Sequence, residues 1–170
     1  MGNGEFNRRR FGAGLIAAAG IGVAGQGAAL TPLMPCPPDR ARITGPFGSA
    51  SFTVDVVDTD ASRARGLMHV PSMPLSYGML FIYQQPQRMS FWMRNTLIEL
   101  DMLFIDETGV IRHIHHRARP LDETPISGGS ELLTAVLEIN GGLAKRLGIA
   151  KGDLLRHPAF AGQLGTCSCP

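Results

Sequence analysis

The strongest constraint on this chain is a series of short apolar runs, each bounded by turn chemistry. Phe52, Val54 and Val56 alternate with Thr53 and Asp55, the period of two that lets a strand bury one face and wet the other. Further runs at Met79–Tyr83, Met89–Met93, Leu97–Asp106, Val110–His116, Thr134–Ile139 and Leu154–Arg156 are rich in β-branched, aromatic and aliphatic residues, and each is short and bounded by turn chemistry. Gln84-Gln85-Pro86-Gln87 and Asp106-Glu107-Thr108-Gly109 have the length and residue types of hairpin connections, so the strands are expected to be largely antiparallel. Asp58 or Thr59 is placed to cap a short helix from Ala61 to Met68, and Asn140 a second through Leu143 and Leu147, stopped by Gly148. The pattern predicts a mainly β domain, an antiparallel β-sandwich or partly open barrel with two short helices.

The N-terminus reads differently. Arg8, Arg9 and Arg10 precede an uncharged stretch from Phe11 to Leu30 built largely from Ala, Gly, Leu, Ile and Val, the layout of a secretory signal. Arg8-Arg9-Arg10-Phe11 resembles a twin-arginine export motif, although Gly12 and Ala13 stand where that motif usually has leucine and lysine. Residues 1–29 are expected to be removed after Gly27-Ala28-Ala29, placing the protein in the periplasm or outside the cell. The alternative is an uncleaved anchor, since about 20 apolar residues can span a bilayer; six glycines between Gly12 and Gly27 argue against it. Any membrane contact is expected through that segment alone. A lipid box at Leu33-Met34-Pro35-Cys36 is obstructed by its proline.

The full chain carries 16 basic and 14 acidic residues. Cleavage takes away three arginines and one glutamate, leaving 13 of each sign, so no basic footprint for nucleic acid remains. Roughly 140 residues are enough for one core. Residues 30–46 are proline-rich and read as a linker or a segment laid over the surface, residues 47–157 as the domain, and 158–170 as a tail. Cys36, Cys167 and Cys169 flank the domain; an oxidising compartment would permit one disulfide between its ends, with free tail thiols or a redox or metal pair as alternatives.

Arg65-Gly66-Leu67-Met68, Gly78-Met79-Leu80-Phe81, Ser90 through Thr96 (SFWMRNT), Leu100 through Asp106 (LDMLFID) and Val136-Leu137-Glu138-Ile139 resemble, in order, the bacterial and archaeal family catalogued as domain of unknown function 192. The similarity runs from about Phe52 to Leu155 and includes Ala118-Arg119-Pro120 and Gly152-Asp153. It implies a compact β-rich fold, with exported members usual, and no reaction, cofactor or partner. The histidines of Ile111-Arg112-His113-Ile114-His115-His116 depart from the family pattern.

His113 and His115 share one strand face, but no carboxylate or cysteine stands nearby to complete a metal set and Arg112 and Arg117 flank it. Neither metal nor cofactor is expected. Asp106-Glu107-Thr108-Gly109 is a turn rather than an aspartic protease motif, and no nucleophile elbow, phosphate loop or Cys-x-x-Cys occurs. More informative are acids inside apolar runs: Glu99 and Asp101 share a face with Leu97, Leu103 and Ile105, and Glu138 interrupts its own run. Buried carboxylates need partners, and Arg65 and Arg94 are the available cations. The first reading joins Arg65, Asp101 and Glu138 in an internal salt bridge that fixes the first helix on the sheet. The second makes them a ligand site, and the third a catalytic one. Trp92 is expected in the core with its indole N–H bonded, the alternative being stacking on a ligand at a pocket mouth. Arg65, Trp92, Arg94, Asn95, Asp101 and Glu138 are the candidate ligand-binding residues. The leading functional reading is a non-enzymatic ligand-binding or accessory module of the cell envelope, its partner a small molecule or envelope ligand. The runner-up is a hydrolase of envelope carbohydrate or peptide, with Asp101 or Glu138 as general base. A raised carboxyl pKa in an open cleft would favour the hydrolase, and a cleft lined by Trp92 and Arg65 without one the binding module.

Overall fold

The computed structural model describes residues 37–160. The proposed signal and all three cysteines lie outside the described residues. Strands β1 (Arg40–Gly45) and β2 (Gly48–Val57) form a hairpin; α1 (Asp60–Arg65) leads to β3 (Tyr77–Gln87). Then follow β4 (Ser90–Phe91), β5 (Leu100–Ile105), β6 (Ile111–Ala118), β7 (Ile126–Ser127), β8 (Leu133–Asn140), α2 (Leu143–Leu147) and β9 (Leu154–Arg156), and a 3-10 turn at Pro158–Phe160. Seven strands make one curled sheet in the order β6-β5-β8-β3-β2-β1-β9, a half-barrel, and β4 with β7 makes a small second sheet. The two edges meet through a bridge between Val110 and Leu154, with Ile111 N donating to Asp153 O at 2.9 Å and Leu155 N to Gly109 O at 2.8 Å.

Each face of the sheet has its own apolar cluster. Ile43, Phe52, Leu80, Leu103, Leu137 and Ile139 pack with α2 residues Leu143 and Ala144 on one side. Met79, Phe81, Met93, Met102, Phe104 and Val136 pack on the other. Strand β5 lies between β6 and β8 with every residue buried, which is why Leu100–Ile105 reads as a continuous apolar run interrupted only by Asp101.

Thr59 caps α1: its Oγ1 accepts from Ser62 N at 3.2 Å while Thr59 N donates to Ser62 Oγ at 3.1 Å, a reciprocal box that starts a six-residue helix without any buried side chain of its own. The helix ends at Arg65, before Met68, on Gly66 at φ 47°. A Cβ at Gly66 would stand 3.2 Å from the Phe81 ring, so this glycine serves both the turn and the close approach of helix to sheet.

Several expectations change. β2 and β3 pair in parallel across α1, whereas all the other strand pairs are antiparallel. The expected linker up to Pro46 contains β1, whose Ala41 and Ile43 are fully buried; its alternation with arginines and Thr44 is a strand pattern. Gln84–Gln87 does not turn but continues β3, with an irregularity between Ile82 and Gln87. The Met89–Met93 run shrinks to two strand residues paired with β7. In α2 the cap is Gly142, left-handed at φ 75°, rather than Asn140. Val56 is exposed while Val57 is buried, because Val57 points to the opposite face and packs in the cluster around Phe81.

Candidate functional site

The expected joining of Arg65, Asp101 and Glu138 does not occur. Along the β5–β8 ladder, Asp101 pairs with Ile139 and Met102 with Glu138. Successive side chains on a strand point to opposite faces, so the two acids are on opposite sides of the sheet. Asp101 is fully buried and its charge is met by backbone. Oδ1 accepts from Arg117 N and Gly142 N, and Oδ2 from Ala144 N, each at 2.8 Å, with His116 Nδ1 at 3.8 Å. Three amide donors replace the guanidinium that the sequence led one to expect, because the chain entering α2 and the bend at Arg117 (φ 56°) both turn their N–H groups inward. Asp101 is therefore an anchor for α2 and, contrary to the expectation from the sequence, does not line the pocket that holds Glu138. Its neighbour Glu99 pairs with Arg117 at 3.0 Å near the surface.

Glu138 is only 4% exposed and has no ion pair or side-chain hydrogen bond among the described residues; its oxygens keep a little surface, since the fully enclosed unpaired side-chain atoms there are Arg42 Nε and Thr134 Oγ1. It stands between Met79 on β3 and Met102 on β5, flanks that offer no strong donor. Burial pushes its carboxyl up to about 8, so near pH 7 it holds its proton. That carboxyl borders a pocket of about 120 Å³ formed by the end of α1, β3, β4 and β8. Phe81, Tyr83, Phe91 and Trp92 contribute rings, and Arg63, Arg65 and Arg94 contribute positive charge. Phe91 meets Phe81 edge-on at 5.1 Å and Phe104 at 5.9 Å, which fixes that wall.

The three arginines are not equivalent. Arg63 is occupied: it donates to Asp58 O at 2.6 Å and Ile82 O at 2.7 Å, pairs with Asp60, and lies 4.6 Å from the centre of the Tyr83 ring. Arg65 and Arg94 are exposed and have no ion pair or side-chain hydrogen bond among the described residues; Arg94 lies over Trp92 at 5.5 Å. Trp92 is 47% exposed, so the core-packing expectation gives way to the pocket-mouth one. The reason is local: Phe91 and Met93 turn inward on either side of it. Asn95, left-handed at φ 54°, accepts from His69 N at 2.8 Å through its carbonyl and approaches Met68 Sδ through Nδ2. It shapes the turn behind the rim and does not line the pocket.

Arg63, Phe81 and Tyr83 were missed in the sequence. The parity of β3 was available as a signal, since Met79, Phe81 and Tyr83 alternate onto the face that Glu138 shares. On β6, His113 stacks near Phe104 with centroids 5.7 Å apart, and burial lowers its pKa. Among the described residues no three of His, Cys, Asp and Glu are grouped closely enough to hold a metal ion.

The family model DUF192, described as Uncharacterized ACR, matches residues 42–157. A crystal structure of a protein of unknown function from Novosphingobium aromaticivorans DSM 12444 is 40% identical, covering 69% of this chain and 83% of its own, with a TM-score of 0.67. A second, from Sinorhizobium meliloti 1021 and named as a proposed transcription regulator, is 38% identical over 71% of this chain and 93% of its own, with a TM-score of 0.68. No curated protein matches.

Proposed function

We propose that this chain, which belongs to the DUF192 family, is an exported, non-enzymatic module of the cell envelope that binds a small ligand in the Glu138 pocket. The observation that carries the reading is a nearly buried carboxyl without a partner, facing a cavity whose rim holds two uncommitted guanidiniums and an exposed indole. Unpaired buried polar groups are costly, and the cost is retained where a ligand supplies the missing partner. Arg65 and Arg94 suit an anionic group on the ligand, and the open face of Trp92 a flat or sugar-like one. Export is supported by the arginines and uncharged stretch before Leu30. The regulator name of the Sinorhizobium relative would call for nucleic acid; the equal counts of basic and acidic residues between residues 37 and 160, 13 of each, favour a small molecule instead.

The hydrolase reading has one observation in its favour, because the pocket joins a raised carboxyl to Trp92 and Arg65. At neutral pH, however, Glu138 is protonated and fits a general acid, not the base first considered. Glu138 is also the only carboxyl among the described lining residues, whereas glycoside cleavage uses two about 5–10 Å apart. A small-fragment screen read by NMR tests the proposal. Shifts are expected at Phe81, Trp92 and Arg94, with Arg65→Ala and Trp92→Ala each weakening the best hits about tenfold. Hits that map elsewhere and ignore both substitutions contradict it, and turnover of a chromogenic glycoside or peptide abolished by Glu138→Gln would establish the hydrolase.

A further inference from the structure

We infer that the ligand of this pocket is an aminocarboxylate, its ammonium group seated on Glu138 and its carboxylate held at the rim by Arg65 and Arg94. The inference rests on the binding reading above and names the ligand's chemistry. Glu138 is flanked by Met79 and Met102 and receives neither a backbone N–H nor a guanidinium, so a ligand cation is the partner that would let it ionise in place. The rings of Phe81, Tyr83, Phe91 and Trp92 line the same space, and aromatic faces attract ammonium and guanidinium groups.

A simple cation would have to pass Arg65 and Arg94 at the mouth, and a simple anion would leave Glu138 without a partner. A zwitterion complements both ends. The size agrees: about 120 Å³ is below the usual range for drug-sized ligands and admits an ammonium on a short stem, with the carboxylate left near the rim. The charged and titratable groups that line the pocket together with Glu138 are Arg63 and Arg65 from α1, Tyr83 from β3, and Arg94 from the turn after β4. Of these, Arg63 is already committed to Asp60 and to two carbonyls, which leaves Arg65 and Arg94 to take the ligand's anion.

Trp92 is the only tryptophan, so its fluorescence reports the pocket directly. The test titrates the protein at fixed ionic strength with 4-aminobutyrate, butyrate and n-butylammonium. 4-Aminobutyrate is expected to bind at least tenfold more tightly than either single-charge probe. Glu138→Gln should abolish its margin over butyrate, and Arg65→Ala should abolish its margin over butylammonium. In parallel, the 13Cδ signal of Glu138 in the unsubstituted protein should move to the ionised position with 4-aminobutyrate and stay put with butyrate, which keeps the test decisive if a variant fails to fold. Equal binding of butyrate and 4-aminobutyrate at Trp92, or a margin that survives Glu138→Gln, overturns the inference and leaves the binding site standing. No response of Trp92 to any probe, with fragments mapping elsewhere, overturns both.

Discussion

Asp101 and Glu138 sit on adjacent paired strands of one sheet, both buried, and the protein treats them in opposite ways. Asp101 receives three backbone N–H donors at 2.8 Å. Glu138 receives none. The first arrangement satisfies the carboxyl oxygens with amide donors and uses them as a fastening for α2; the second leaves an acid that keeps its proton to avoid the cost of an unpaired charge. Burial of a carboxyl alone therefore says little about function, and the count of donors around it separates a structural acid from one that awaits a partner.

Asp101→Ala leaves three inward N–H groups without acceptors, and is expected to destabilise the fold by about 3–5 kcal/mol. Urea unfolding measures this. A loss below about 1 kcal/mol would mean that the fastening of α2 is not where the stability lies.

The next effect is the pH dependence of Glu138. Its folded pKa, about 8, lies above the ordinary 4.5, so the folded state holds the proton more tightly. The stabilisation is fully present below pH 4.5 and is lost as pH rises through 8. Between pH 5.5 and 7.5 the loss should be about 2–3 kcal/mol, near 1.4 per unit through most of the window. His157 works in the other sense. Burial lowers its pKa, against the opposing hydrogen bond to Pro38 O, so its contribution is present above the ordinary 6.5 and is lost as pH falls. The measurement is accordingly the difference between unsubstituted and Glu138→Gln melts at each pH. A difference that does not change between pH 5.5 and 7.5 would place Glu138 with Asp101 as a satisfied acid.

A smaller effect concerns the helix that carries Arg65. Thr59→Ala removes the reciprocal cap of α1 and should cost about 1 kcal/mol, because that helix has no buried side chain to hold it. Smaller still, Arg65→Ala should change stability by less than about 0.5 kcal/mol, as expected of an exposed side chain without partners. A loss of several kcal/mol in a thermal melt would restore the internal salt bridge.

The strands were legible where side chains differ between faces, as at Phe52, Thr53 and Val54, and the cap at Thr59 was legible from its neighbours. What could not be read was pairing. Nothing in Val56 or Tyr77 says that β2 and β3 run in parallel, since that depends on how α1 returns the chain. β1 was hidden by the prolines on either side of it, Pro37, Pro38 and Pro46, and by its own arginines. At the site, Glu138, Arg65, Arg94 and Trp92 were identifiable as an acid in an apolar run, two cations in ordered segments and a lone indole. The role of Asp101 is not legible, because a one-residue offset across the ladder decides which face an acid occupies, and because backbone donors leave no mark in the side-chain pattern.

Glu138 is a buried acid without a partner among the described residues, at the wall of a pocket, and a 13C NMR titration of its carboxyl reads that state. In the ligand-free protein the Glu138 13Cδ signal should titrate with a midpoint near 8. A midpoint at or below about 4.5, the range of an ordinary or paired glutamate, would contradict the account, because it would show a partner already in place.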